Sequence, residues 1–374
     1  MSTIYLDFNR KTPVAPSVLE AMQPYFGNHF YLPSQQHPLA QAVTESLEQA
    51  RESVSFMIGC DAFEVVFTAS GTEANNLAIL GTARRQKAGH ILVSSIEHDS
   101  VTLAAESLQD SGWQVESISC DQFGLIDVDA VAQQLRDDTA LVCVQLANPV
   151  IGTVQPIRKI ADFCHKRGVH LHCDATQAFG KIAVDAVALG VDTMSVSGHK
   201  FYGPPGSGAL YLRGGRELSS IVFGEVREMA VRPGPENVPA CVGMGVAANL
   251  VSRCIDEVEA NFCELRERFV NGLNSSVNGV VFLGSEEAGV LPNTLCVELP
   301  VAASVVRRAA RQLVVRTAEP GPPPDEMARV LEAVGRAPGQ IDRTLQISLG
   351  WTTSREQVDR VVDMLAEACD SADL

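Results

Sequence analysis

The sequence predicts an α/β protein of two domains. Between about residues 60 and 215, short apolar runs alternate with longer amphipathic stretches, a pattern typical of a parallel sheet flanked by helices. The chain has 374 residues, enough for about two domains at roughly 150 residues each. Apolar residues make up 46% of the chain and charged residues 20%, which is ordinary for a globular protein and unlike a disordered one.

The first domain is predicted from six short apolar runs, each a candidate strand. They cover residues 64–68, 90–95, 140–147, 170–173, 193–197 and 209–212. Helical patterns over 72–85, 101–111 and 157–167 lie between them. Strands that alternate with helices in this way are expected to form a mainly parallel sheet.

A second, smaller α+β domain is predicted from near residue 255. The stretch 231–239 (VRPGPENVP) is too rich in proline and glycine for the interior of an element. A helix is expected from about residue 242, followed by a charged helix over 256–274. Strands are expected at 280–283, 295–299 and 345–349, before a final helix.

The charge and the absence of targeting patterns exclude several classes of protein. The chain carries 45 acidic and 29 basic side chains, a net charge of −16, without the Lys and Arg clusters that bind nucleic acid or anionic membranes. The first residues do not resemble a signal peptide, and no apolar run approaches the ~18 residues of a spanning helix. The sequence therefore predicts a cytoplasmic protein with no nucleic-acid or membrane partner.

The cysteines and histidines do not predict a disulfide scaffold or a metal site. The ten cysteines are too dilute for a disulfide framework and contain no C-x-x-C pair, so they are expected to be small buried side chains in a reducing compartment. His98, His170 and His172 belong to no metal-binding pattern. We predict no metal.

Polar residues follow five of the six candidate strands, at the edge where open parallel sheets bind ligands. They form the segments Ser70-Gly71-Thr72-Glu73, Glu97-His98, Asn148-Pro149, Asp174-Ala175-Thr176-Gln177 and Ser197-Gly198-His199-Lys200. Each has an ordinary alternative: a helix cap at Ser70, a turn at Asp174, a solvated lysine at Lys200. The convergence of all of them on one edge predicts a binding site.

One cofactor, pyridoxal 5′-phosphate, requires all of these groups. Lys200 would form the Schiff base with its aldehyde, and Asp174 would keep its ring nitrogen protonated. His98 would stack on the ring and Gln177 would reach the ring hydroxyl. The phosphate would bind at a helix N-terminus and neighbouring side chains, namely Gly71, Thr72, Ser197 and His199. We predict Lys200, His98 and Asp174 as the catalytic residues.

These motifs resemble the cysteine desulfurase family of the class V aminotransferases. The resemblance runs through Tyr5-Leu6-Asp7, Gly71-Thr72-Glu73, Asp174-Ala175-Thr176-Gln177, Ser197-Gly198-His199-Lys200 and Ser348-Leu349-Gly350, in family order over nearly the whole chain. It implies the fold type I architecture, with a mainly parallel seven-stranded sheet sandwiched by helices. It also implies a large domain over 14–254, a small domain formed by 1–13 and 255–374, and a homodimer.

The chain departs from the family at residues that bind the sulfur, the substrate and the cofactor. The family's sulfur-accepting loop cysteine falls on Pro320. Its substrate-carboxylate arginine falls on Gln346, which is a candidate substrate residue together with Arg10 and Lys11. The asparagine that bonds the ring hydroxyl falls on Pro149, which leaves Asn148 one residue early as the candidate cofactor contact. Arg10 and Lys11 follow the Tyr5-Leu6-Asp7 segment, where they could bind an anionic substrate; a solvated basic turn is the alternative.

The resemblance and these departures predict a pyridoxal-phosphate enzyme that acts on an amino acid through Lys200. Deprotonation at Cα followed by β-elimination, a C–S lyase outcome, needs no loop cysteine; transamination and racemisation are also open. A true cysteine desulfurase that delivers sulfur through another thiol is the first alternative. A catalytically degenerate binding or scaffold protein is the second.

Overall fold

The computed structural model describes residues 3–285, 287–319, 321–322 and 324–371. Pro320, where the family's loop cysteine falls, lies outside the described residues. Within the described ranges the strands are β1 (Ile4–Tyr5), β2 (Val65–Thr68), β3 (His90–Ser94), β4 (Gln114–Ile118), β5 (Thr139–Cys143), β6 (His170–Asp174), β7 (Thr193–Ser197), β8 (Gly208–Leu212), β9 (Val281–Leu283), β10 (Thr294–Glu298), β11 (Leu313–Val314), β12 (Arg316–Thr317) and β13 (Thr344–Ser348).

Helices alternate with many of these strands along the chain. They are α1 (Pro16–Met22), α2 (Pro38–Ile58), α3 (Gly71–Ala83), α4 (Asp99–Glu106), α5 (Val128–Gln134), α6 (Ile157–Lys166), α7 (Ala186–Leu189), α8 (Val238–Ser252), α9 (Ile255–Ser276), α10 (Ala303–Ala309), α11 (Glu326–Ala333), α12 (Pro338–Ile341) and α13 (Arg355–Asp370).

The main sheet has seven strands in the order β2-β8-β7-β6-β5-β3-β4. β8 is antiparallel to both neighbours, and the pairings from β7 to β4 are parallel. The predicted mainly parallel seven-stranded sheet is therefore confirmed. Its central strands are buried along their whole length, which explains why they are continuous apolar runs in the sequence.

Three local expectations need correction. β4 was not predicted, because this edge strand exposes most of its side chains and has no apolar run. The strand predicted over 140–147 ends at Cys143; the apolar run continues because the next loop is also buried. α8 begins at Val238, inside the stretch predicted to exclude a helix, because Pro239 occupies its first turn, where a missing N–H costs nothing.

A second core lies beside the main one. It is formed by apolar side chains of α9, β10, β13 and α13, together with Ile4 and Leu6 from the chain start. β12, β13, β10 and β9 form its antiparallel sheet, and Asp7 pairs with Ser348 at the end of β13. This shared core supports a small domain built from both chain ends, while the bounds 14–254, 1–13 and 255–374 stay a prediction.

In the described part of the chain, no single helix has the length and apolar character to cross a bilayer. α8 and α9 meet that test only when taken together, and they are bent by 70° at their junction.

Candidate active site

The carboxyl edge of the main sheet surrounds a cavity of about 180 Å³. β2, β3, β6 and β7 each end at this edge, and the residues after them turn into it. The cavity is lined by Ser70, Gly71, Thr72, Asn75, His98, Ser100, Gln145, Pro149, Asp174, Thr176, Gln177, Ser197, His199 and Lys200. Eight of the residues singled out from the sequence therefore meet in one place: Gly71, Thr72, His98, Asp174, Gln177, Ser197, His199 and Lys200.

One end of the cavity is built to hold an anion. Ser70 caps α3 by accepting a bond from the Glu73 N–H, so the free N–H groups of the first turn and the helix dipole face the cavity. A Cβ on Gly71 would lie 2.7 Å from Cγ2 of Thr176, so only glycine leaves this approach open. Ser197 Oγ lies 2.9 Å from Nδ1 of His199 at the same end. Burial, reinforced by repulsion from Lys200, lowers the pKa of His199 to about 4 and keeps the ring neutral.

Asp174 supplies a fixed carboxylate at the end of β6. Its Oδ1 accepts a bond from the Thr176 N–H at 2.9 Å, and its Oδ2 accepts one from Nδ2 of Asn75 at 2.8 Å. The side chain is buried and lines the cavity. Two donors therefore fix the Asp174 carboxyl group in one orientation at the cavity wall.

Asn75 fixes the direction of the hydrogen bonds that reach His98. Because Asp174 only accepts, the Asn75 NH₂ group faces it, and the second N–H donates to Oγ of Ser100 at 2.8 Å. The Ser100 hydroxyl must then donate to Nδ1 of His98, also at 2.8 Å, and the Ser100 N–H donates to the same nitrogen. Nδ1 of His98 is an acceptor, so the ring proton lies on Nε2.

On its other side, Asn75 is joined by hydrogen bonds to two histidines in the protein interior. Oδ1 of Asn75 accepts from Nε2 of His172 at 3.0 Å, and Nδ1 of His172 accepts from the Thr193 hydroxyl, also at 3.0 Å. Burial lowers the pKa of both His172 and His170 to about 4. His170 also bonds Thr193. These rings are neutral structural groups, and no cluster of metal-binding side chains occurs among the described residues.

Lys200 is held next to the chain start. Its Nζ donates to the backbone oxygens of Asn9 at 2.7 Å and Arg10 at 3.0 Å. Burial lowers the pKa of the Lys200 amine to about 8, against the opposing attraction of Glu326 and Asp174. About half of this amine is therefore uncharged near pH 8, as a nucleophile or a base requires.

A second buried lysine, which the sequence analysis did not single out, lies behind Gln177. Nζ of Lys181 donates to Oδ1 of Asn9 at 2.8 Å and Oε1 of Gln177 at 2.6 Å, and burial holds its pKa well below the usual value. The Gln177 NH₂ group in turn donates to the backbone oxygen of Asn9 at 3.0 Å. The Gln177 amide, predicted to reach the ring hydroxyl, is thus bonded to Asn9 and Lys181.

Asn148 does not reach the cavity. Its Nδ2 donates to the Ile96 oxygen, and its Oδ1 accepts from the N–H groups of Val150 and Ile151. The amide shapes a buried turn, and Pro149 and Gln145 line the cavity instead. The sequence predicted Asn148 as a cofactor contact only because the adjacent Pro149 occupies the position of the family's asparagine.

The three candidate substrate residues also lie outside the cavity lining. Arg10 has a side chain that is 48% exposed and pairs with Glu319 at 3.4 Å, while Lys11 is exposed. Gln346 is fully buried, and neither its Nε2 nor its Oε1 has a partner. Arg10 and Lys11 thus match the solvated basic turn that was the alternative.

Glu97, which the sequence placed at this edge without a role, is a buried carboxyl group. Its Oε1 accepts from the Ser94 hydroxyl and the Gln145 N–H, whereas Oε2 has no partner. Burial raises the pKa of Glu97 to about 8. The group is therefore protonated at neutral pH and positions Gln145 at the cavity wall.

Glu97→Gln is expected to gain stability over the unaltered protein as the pH rises. Glu97 has a raised pKa in the folded protein, so its contribution to stability is full below the ordinary pKa of 4.5 and is lost as the pH rises toward 8. Glutamine keeps the same two contacts and never ionises. The free energy of unfolding of the variant, relative to that of the unaltered protein, should rise by about 3 kcal/mol between about pH 5 and pH 8. Urea unfolding at both pH values measures this difference. An equal difference at both values would contradict a protonated Glu97.

Comparison with known proteins decides the family. The family model described as aminotransferase class-V matches residues 4–361. Cysteine desulfurase IscS 1 of Archaeoglobus fulgidus is 36% identical, over 96% of this chain and 95% of that protein. The chain belongs to the cysteine desulfurase family of class V aminotransferases. It is an enzyme of this pyridoxal-phosphate-dependent family.

Solved structures agree with this assignment of the desulfurase family. A structure described as a NifS-like protein superposes with a TM-score of 0.91 at 28% identity, over the full length of both chains. A second, described as SspA in complex with cysteine, has a TM-score of 0.81 at 32% identity, over 93% of this chain and 99% of that one. The fold type I architecture is confirmed.

The residues present fit the family's cofactor. The Gly71 cradle at the start of α3 leaves room for a phosphate, the Asp174 carboxylate lies at the cavity wall, and burial lowers the pKa of the Lys200 amine to about 8. Pyridoxal 5′-phosphate carries a phosphate, a basic ring nitrogen and an aldehyde that match these three groups. The family also accounts for the retained charges, which a scaffold protein would not need.

Proposed function

We propose that this desulfurase-family enzyme cleaves the C–S bond of L-cysteine, or of a closely related amino acid, by β-elimination. One observation carries the proposal: Lys200, Asp174 and His98 line one cavity, while the segment 297–368 contains no cysteine. The family's cofactor chemistry is thus retained without a loop thiol to receive sulfur. β-Elimination needs the cofactor chemistry but no loop thiol.

The buried cysteines near the site are poor sulfur acceptors. Cys143 and Cys173 are fully buried in the central strands, and burial raises the pKa of both thiols well above the usual value. Cys296 on β10 is also buried, with its pKa raised to about 12. Because the thiolate is the attacking form, none of these three can replace the loop thiol.

The chain's own residues can hold and move the protons that elimination requires. The bound cofactor supplies an electron sink for the bonds at the substrate Cα. Lys200, with its pKa near 8, takes the proton from Cα. His98 carries a proton on Nε2, because Ser100 occupies Nδ1, and gives it to the departing sulfur. Asp174 balances the positive charge on the cofactor ring.

A product assay with L-cysteine tests the proposal. Elimination converts cysteine and water into pyruvate, ammonia and sulfide in equal amounts. The loaded enzyme without added thiol is expected to form pyruvate at the same rate as sulfide. Alanine formation in place of pyruvate would overturn the elimination proposal, and the absence of any product would overturn C–S cleavage.

Desulfuration with an external thiol is the second candidate, supported by the names of the relatives. In that reaction cysteine and a thiol become alanine and the persulfide of that thiol. Its signature is alanine that appears only when a thiol such as dithiothreitol is added. The same assay, run with and without the thiol, separates the two reactions.

We further propose a homodimer, because large apolar side chains are exposed on two segments. Phe26 and Phe30 are 71% and 68% exposed, and Phe223 and Val226 are 89% and 73% exposed. Aromatic side chains that protrude this far typically mark a protein interface.

A further inference from the structure

β12 and β13 bring two buried polar side chains together beside the active site. Arg316 and Gln346 are directly opposite each other in this antiparallel pair. Opposite residues project onto the same face of a sheet, with their Cβ atoms about 5 Å apart. Arg316 is 7% exposed and Gln346 is not exposed at all. The pair is therefore a polar cluster inside the protein.

This cluster has hydrogen-bonding capacity that the described residues do not use. Both amide atoms of Gln346 and Nε of Arg316 are buried without a partner. Oδ1 of Asp7, which lies across from Ser348 two residues further along β13, is also unpartnered. Buried polar groups are almost always paired, so unpartnered atoms gathered in one place indicate a missing polar ligand.

The charges around Arg316 connect this cluster to the catalytic lysine. Nη2 of Arg316 donates to Glu326 at 2.9 Å, at the start of α11, and lies 3.8 Å from Oδ2 of Asp325. Asn9 accepts from Nζ of Lys200 through its backbone oxygen at 2.7 Å, and its N–H donates at 2.9 Å to Oγ of Ser348, two residues after Gln346. After the larger effect of burial, Glu326 raises the pKa of Lys200 and Arg316 lowers it, in agreement with this proximity. Arg329 on α11 also pairs with Asp99, the residue after His98. The cluster thus borders the cavity.

We propose that Arg316 and Gln346 bind the α-carboxylate of the amino-acid substrate, which rests on the proposed function only for the identity of that amino acid. The Nε–H and Nη2–H of a guanidinium form one edge that matches a carboxylate, and Glu326 bonds this edge through one of its two positions. The Gln346 NH₂ group adds a further donor on the same face. Arg10, half-exposed and paired with Glu319, offers no comparable desolvated contact.

The test compares two ligands that differ only by a carboxylate, L-alanine and ethylamine. Binding of each to the loaded enzyme is measured from the change in cofactor absorption, without turnover of sulfur. The unaltered enzyme is expected to bind L-alanine at least roughly 30-fold more tightly, the effect of one buried charged contact. Arg316→Gln/Glu326→Gln, which removes both charges of the pair together, is expected to lose most of this ratio.

Two further variants keep the result interpretable. Arg316→Lys retains the charge next to Glu326 but not the planar fork, so the ratio should fall by less than in the double variant. Arg343→Gln removes an arginine just before β13 that pairs with Glu298, and should keep the full ratio. An unchanged ratio in a folded, cofactor-loaded double variant would overturn the proposal, as would loss of the ratio on Arg10→Gln alone.

The two proposals fail in different ways. If L-cysteine yields no product while the carboxylate preference depends on Arg316, C–S cleavage is wrong and the carboxylate site stands. If L-cysteine is cleaved while the preference is independent of Arg316, the reverse holds.

Discussion

Replacement of Lys200 by alanine is expected to lower the rate of L-cysteine cleavage by at least roughly 1,000-fold, because it removes both the nucleophile and the base. Burial brings the pKa of this amine to about 8, and no other described residue of the cavity lining carries an amine. Borohydride treatment of the loaded protein should attach the cofactor to the unaltered chain and not to the variant, as measured by mass spectrometry.

Lys200→Arg is the matched control for charge. Arginine keeps a cation beside the Asn9 and Arg10 oxygens, so the fold should be retained, but its guanidinium does not deprotonate. Activity as low as that of Lys200→Ala assigns the loss to the free amine. Turnover by Lys200→Ala equal to that of the unaltered enzyme would instead mean that the reaction does not pass through Lys200.

Asp174→Asn is expected to produce the second largest loss, a fall in turnover of at least roughly 100-fold. The amide carries no charge to stabilise a protonated ring nitrogen. Its NH₂ group must also face either the Thr176 N–H or the Asn75 NH₂, a donor against a donor, which costs about 1–3 kcal/mol. Turnover is measured under saturating cofactor so that weaker loading does not enter.

Two companions of this variant separate charge from structure. Asp174→Glu keeps the carboxylate and should recover part of the activity that asparagine loses. Asn76→Ala alters the neighbour of Asn75 on α3. Asn76 is not part of the cavity lining and bonds the backbone oxygens of Thr72 and Ser100, so the variant should leave turnover close to that of the unaltered enzyme. Full activity in a folded Asp174→Asn would refute the role given to this carboxylate.

The sequence predicted the central strands and the residues directly after them, because both follow from local rules. A strand buried on both faces is an apolar run, and a polar residue after such a run lies at the carboxyl edge. Asp174 and Lys200 were found in this way. β4 was missed because an exposed edge strand has no such run.

Residues whose role depends on distant partners were not predictable from the sequence. Lys181 and Asn75 look like ordinary helix or loop residues until folding buries them beside the site. The sequence placed Glu97 at the edge of the sheet but gave no sign that its carboxyl group is buried. Asn148 looked like a cofactor contact but is bonded within its own turn. Arg316 gains its place only through the pairing of β12 with β13, two strands separated by more than twenty residues.

The hydrogen bonds behind His98 limit where its proton can come from. Asn75 stands between this imidazole and the two interior histidines, and an amide orients neighbouring hydrogen bonds without taking up or releasing protons at neutral pH. The interior rings therefore cannot restore a proton that His98 has given away. In the proposed elimination, the proton that returns to His98 must therefore come from the open side of the cavity, from solvent or from the next substrate molecule, and not from the protein core.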